Sequence, residues 1–189
     1  MPSKRYEHIL IEFLTRIEVE ALLAAPDQTT WFGRRDRTLL LLAVQTGLRV
    51  SELISLGCQD IVLGHGAYVR CLGKGRKTRC TPLRSDAVKA LRQWLRERQG
   101  LLTDPLFPSQ HGSSLSRDSI EYLVAKHVAK AAEHCPSLKL KHVYVVNDIV
   151  ATAQQWISCS MGSIAPSLRC GSATNRSRLR RSTSTPAWR

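Results

Sequence analysis

No two of the six cysteines, at positions 58, 71, 80, 135, 159 and 170, form a C-x-x-C pair. That spacing argues against structural zinc and against a dense disulfide framework, and leaves reduced thiols in a cytoplasmic setting as the expectation. No apolar run reaches the length of a membrane span, and Glu12 interrupts the one candidate stretch near the start, residues 9–14. Neither a membrane protein nor a secreted one is expected. Aromatic residues make up only 6% of the chain, too few for the stacking surface common in RNA binders. Acidic residues are scarce as well: 15 Asp and Glu stand against 28 Lys and Arg, a formal net charge of +13 with a pI near 10.0. Such an excess says little about the fold and implies a polyanionic partner. What is present is enough for a core. Apolar residues are 43% of 189, the length of one domain or of one domain with an appendage.

Charge divides the chain in two. Residues 1–149 hold 22 basic and 15 acidic residues, whereas residues 150–189 hold six arginines, no acid and many Ser and Thr. The stretch 172–189 (SATNRSRLRRSTSTPAWR) has no periodic apolar face. Such a composition buries too little surface to offset the entropy of ordering it, so a disordered basic tail is expected over 150–189. A basic arm on phosphates and a tail with no selected role fit that composition equally well.

The first part reads as helices around a small hairpin, an α+β arrangement that is mainly α. Thr15 and Glu18 have the spacing of a capping box for a helix over 16–25, stopped by Pro26. A second helix is expected over 34–46; its run from Leu39 to Val44 is apolar on most sides and should be central. Gly47 ends it, and a short helix over 50–56 is closed by Gly57. Three β segments follow, over 60–63, 67–72 and 78–83, giving a small three-stranded antiparallel sheet with the Gly73-Lys74-Gly75-Arg76-Lys77 turn before the third. Ser85 caps a helix to residue 99 with Val88, Leu91 and Leu95 on one face. Ser116 caps another to about residue 134 with Ile120, Leu123, Val124 and Val128 inward.

Two basic residues sit where a core would not want them. Arg49 is flanked by Leu48, Val50 and Leu53, so its guanidinium is expected to be partly buried and to need an anion. Glu52, three residues on, is the ordinary partner; a phosphate is the functional one. Lys74 lies between glycines at a hairpin tip, where the backbone can approach a ligand closely, although a solvated turn lysine would look the same.

Together they say more. The order T-G-L-R-V-S-E-L, a short interval, a strand, G-K-G-R-K-T-R, a strand and T-P-L resembles the catalytic domain of the tyrosine recombinases (the phage integrase family), over about residues 13–143. The resemblance implies an integrase-like domain over residues 1–149, and DNA strand breakage and rejoining through a 3′-phosphotyrosine with neither metal nor cofactor. Double-stranded DNA would be the partner, with self-association on DNA possible in principle. Arg49 matches the family's first catalytic arginine, which stabilises charge on the nonbridging phosphate oxygens. Lys74 matches the general acid for the 5′-hydroxyl leaving group. Arg76, Lys77 and Arg79 fall at positions expected to contact the DNA backbone.

Beyond that point the chain departs from the family pattern. A His-x-x-Arg-His motif, a Leu-Gly-His signature and a nucleophilic Tyr should follow, yet after His142 the chain continues Val143-Tyr144-Val145-Val146, and no arginine occurs until Arg169. Neither His142 nor Tyr144 fits a catalytic role. A frameshift near residues 143–150 accounts for this. Permitted codons for residues 172–183, read from the third base of the Ser172 codon, spell G-H-E-S-V-E-T-T-Q-V-Y, with the family's His-to-Tyr interval. The expectation is therefore a recombinase-like chain whose second catalytic half is missing, inactive in cleavage, or alternatively a non-catalytic DNA-binding module. With closing helices lost, apolar surface on residues 39–44 or 123–128 should be exposed and the fold marginal.

Overall fold

In the computed structural model, residues 14–73 and 78–140 are described. The first helix, α1 (Arg16–Ala24), begins as its capping box dictates. The Thr15 hydroxyl accepts from the Glu18 N–H at 3.4 Å, and the Thr15 N–H donates to the Glu18 carboxylate at 2.7 Å. Helix α2 (Trp31–Thr46) starts three residues earlier than its apolar periodicity suggests, because Thr30 caps it by accepting from the Gly33 N–H at 3.0 Å. Gly33 has to be glycine: a Cβ there would lie 1.8 Å from the Asp27 carbonyl oxygen.

All six residues from Leu39 to Val44 are buried, so α2 is the central helix. Leu123 and Val124 are buried too, and Val128 is half-buried. The expected exposure of these two segments is thus corrected: among the described residues, α1 and the helix Ser85–Arg98 pack on the helix that holds the first, and α1 and the helix Val50–Ile54 on the helix that holds the second. Gly47 stops α2 in the left-handed region (φ 60°), its N–H returning to the Ala43 carbonyl at 3.0 Å.

A five-residue helix, α3 (Val50–Ile54), leads into the sheet. Strands β1 (Ile61–Val62), β2 (Tyr68–Leu72) and β3 (Thr78–Pro82) are antiparallel in the order β1-β2-β3, with Cys71 opposite Arg79 and Leu72 opposite Thr78. Cys58, Cys71 and Cys135 are free thiols.

Helix α4 (Ser85–Arg98) buries Ala87, Leu91 and Trp94, with Val88 and Leu95 only half-buried. The inward face is rotated from the one expected. Trp94 sets the rotation: its Nε1–H donates to the Leu106 carbonyl at 2.9 Å and its ring meets Trp31 at 5.0 Å. Arg34 fixes the start of α2 to the end of α4, its Nε within 2.8 Å of both Glu97 oxygens. Helix α5 (Arg117–His134), capped by Ser116 as expected, buries Ile120, Leu123, Val124, His127, Ala131 and Ala132. A 3-10 turn (Pro136–Leu140) follows, and the Ser137 hydroxyl donates to Glu18 at 2.6 Å. This is the mainly helical α+β fold with a three-stranded sheet that the sequence implies. Among the described residues no helix is long and apolar enough to cross a membrane. The expected basic tail over 150–189 lies outside the described residues, as do His142 and Tyr144.

Candidate functional site

The site is built where α2 stops, α3 starts and the hairpin passes alongside. Arg49 has extended backbone (φ −64°, ψ 154°) between Leu48 and Val50, both buried. Neighbouring side chains in an extended segment point to opposite sides, so two buried flanks turn the middle residue outward. The Arg49 side chain is 63% exposed. Its expected partial burial is therefore corrected: the apolar neighbours expel the guanidinium instead of enclosing it.

Glu52 is the buried member of the group, 5% exposed. Its Oε2 accepts from the Arg49 N–H at 2.8 Å, and its Oε1 lies 3.7 Å from Arg49 Nη1, an ion pair without hydrogen-bond geometry. The same Oε2 accepts from Nη2 of Arg79 on β3 at 2.7 Å. Arg79 Nε in turn donates to the Sγ of Cys71, its cross-strand neighbour, at 3.1 Å. Partial burial works against the charge on Arg79, but the hydrogen bond to Cys71 and the Glu52 carboxylate outweigh it and hold its pKa above the ordinary arginine value.

Two arginines thus share one carboxylate. Their side chains remain 63% and 47% exposed, so a net positive charge faces solvent with guanidinium edges still free to donate. A tetrahedral oxyanion accepting paired N–H donors is the ligand class this arrangement suits. Among the described residues no group of His, Cys, Asp and Glu is placed to hold a metal ion.

Of the residues singled out in the sequence, Arg49 and Arg79 come together through Glu52. Lys74, Arg76 and Lys77 lie outside the described residues. The double role of Glu52 and the part played by Cys71 were missed. Glu52 had a local signal as the third residue after Arg49. Its contact with Arg79 spans 27 positions and has none.

Residues 12–142 match the phage integrase family. The chain belongs to that family. The protein y4rC of Sinorhizobium fredii, which is named an integrase/recombinase, is 50% identical over 145 residues, covering 77% of this chain and 44% of that protein. The tyrosine recombinase XerD of Pseudomonas aeruginosa is 40% identical over 124 residues, 63% of this chain and 41% of that one. Among solved structures, the XerA recombinase superposes with a TM-score of 0.68 at 25% identity, covering 86% of this chain and 55% of its own. XerH bound to palindromic difH in a post-cleavage complex superposes at 0.61 and 24% identity, covering 79% and 43%, a likeness of fold. The chain therefore spans less than half the length of the two curated relatives.

Proposed function

We propose that this chain binds duplex DNA through a phosphate-gripping site formed by Arg49 and Lys74, as the catalytic-domain portion of a site-specific recombinase, and that it does not cleave DNA. The observation that carries the reading is the exposed Arg49 guanidinium beside a buried Glu52 that also holds Arg79. That arrangement keeps two cations at the surface with a fixed backbone beneath one of them. Bidentate donation to nonbridging oxygens is the chemistry it offers, and membership of the phage integrase family supports a DNA phosphodiester as that oxyanion.

In this reading Arg49 stabilises negative charge on the phosphate and Lys74 stands as the proton donor to the 5′-oxygen. Arg76 and Lys77 bind flanking phosphates. No residue supplies the rest. Nothing after His142 matches His-x-x-Arg, and no tyrosine follows Tyr144, so the chain has neither second arginine nor nucleophile as written. Stabilising a transition state cannot replace a missing nucleophile. Residues 1–149 form the integrase-like part and residues 150–189 are out-of-frame translation, which also accounts for a segment with six arginines and no acid.

A suicide duplex that traps phosphotyrosine tests both halves of the proposal. Salt-sensitive binding with no covalent adduct is the expected result. A covalent adduct would overturn the inactivity, and absence of duplex binding at low salt would overturn the site itself. Reading the gene tests the frameshift separately: an undisturbed frame whose codons do not spell the missing motifs ends that part.

A further inference from the structure

We infer that Arg79 is a positioning residue for Arg49, acting through Glu52, and not an independent contact to the DNA backbone. This rests on the proposed phosphate site and concerns its Arg49 member.

Arg79 uses two of its nitrogens inside the protein. Nε donates to Cys71 Sγ at 3.1 Å and Nη2 to Glu52 Oε2 at 2.7 Å. Cys71 is 4% exposed and lies directly across the hairpin, so it fixes the plane of the guanidinium from the sheet side. Glu52 fixes it from the helix side. A planar guanidinium held at two edges in this way cannot swing freely toward a distant phosphate.

Arg79 also holds Glu52. With Oε2 taken by the Arg79 guanidinium and the Arg49 N–H, the carboxylate cannot rotate, and its other oxygen, Oε1, stays buried 3.7 Å from Arg49 Nη1 with no hydrogen-bond partner. A buried carboxylate oxygen lacking a partner is costly unless a nearby cation supplies one. The cation it faces is Arg49. Glu52 therefore draws Arg49 toward a single side while leaving its outer N–H groups free, and Arg79 prevents Glu52 from closing fully on Arg49 and cancelling its charge. Losing Arg79 would release the carboxylate to form the full fork with Arg49, which would then compete with phosphate.

The test uses the whole chain and a short fluorescent duplex in anisotropy titrations at one fixed low salt concentration, with thermal melts to confirm that each variant folds. Arg79→Gln is expected to weaken binding about tenfold, as is Arg49→Gln. The double variant should bind no more weakly than Arg49→Gln alone, because the two losses are one interaction counted twice. Arg79→Lys separates positioning from charge. An ammonium has donors enough but no planar fork to span Cys71 Sγ and Glu52 Oε2 and fix the carboxylate between them, so it should lose as much as Gln; retained affinity in Arg79→Lys would mean that only charge matters. Glu52→Gln provides a second line, since Arg79→Gln should cost nothing further in that background. If Arg49→Gln weakens binding and the double variant loses the product of both factors, Arg79 is a separate phosphate contact and this inference is overturned alone. If Arg49→Gln binds as tightly as the unaltered chain, the phosphate site and this inference are overturned together.

Discussion

Glu52 has one negative charge to divide between two guanidinium groups, and it does so from a position almost out of contact with solvent. Removing it leaves the Arg49 N–H and the inner edge of Arg79 without their acceptor. Glu52→Ala should therefore destabilise the fold by about 1–3 kcal/mol, read as a lower urea midpoint at unchanged slope. Cys58 gives a second residue-scale expectation. Burial pushes its thiol pKa up, opposed by the neighbouring Arg98, which donates to its Sγ. An acid whose pKa is higher folded than unfolded stabilises the fold fully below its unfolded value, and that contribution is lost as pH rises through the folded one. Stability should accordingly fall in the alkaline range above the ordinary thiol pKa, and a Cys58→Ala variant should flatten that limb of the pH profile. An identical limb in the variant would assign the loss to other groups.

Three helix starts and stops were legible because their signals are local, whereas Ser85, expected as a cap, is the first helical residue behind Arg84, which makes no side-chain cap bond. The Thr15–Glu18 capping box, the Ser116 cap and Gly47 each act within a turn or so, and the structure uses all three. What depends on distant partners was not legible. The Thr30 cap on the Gly33 N–H is a local signal that the apolar periodicity of α2 masked, whereas Trp94 turned α4 so that its indole could reach Trp31 and Leu106. The buried group of Arg35, Asp36 and His127 was invisible for the same reason. His127 Nε2 lies 3.0 Å from Asp36 Oδ2 across 91 positions, while Arg35 joins Asp36 and the Pro108 carbonyl. Periodicity marks position 127 as inward-facing but cannot name its partner. Gly47 supplies the prediction at this scale. At φ 60° a Cβ is strained, so Gly47→Ala should cost about 1 kcal/mol and shift the thermal midpoint down by several degrees. It should also weaken duplex binding, since it displaces the start of α3, where Arg49 stands. A stability loss with unchanged affinity would separate the helix stop from the site.

For the whole molecule, the sequence's strongest feature is its net charge of +13, which implies a polyanionic partner before any fold is visible. The fold then placed two of the expected cations on one carboxylate, and a DNA phosphodiester is the ligand proposed for them. The apolar faces expected to be left open are instead buried, from Leu39 to Val44 and at Leu123 and Val124. A single cooperative melting transition, coincident in near- and far-UV circular dichroism, is the expected behaviour; a broad transition with early loss of the near-UV signal would indicate that the described part does not close its own core. The central claim is that Arg49 and Lys74 grip DNA phosphate. It is tested most directly by the salt dependence of duplex affinity for the intact chain and for Arg49→Gln/Lys74→Gln. If both groups neutralise phosphates, the double variant loses affinity and its log–log salt slope becomes shallower by about two contacts' worth, roughly 1.8. The same slope and the same affinity in both proteins would contradict the account.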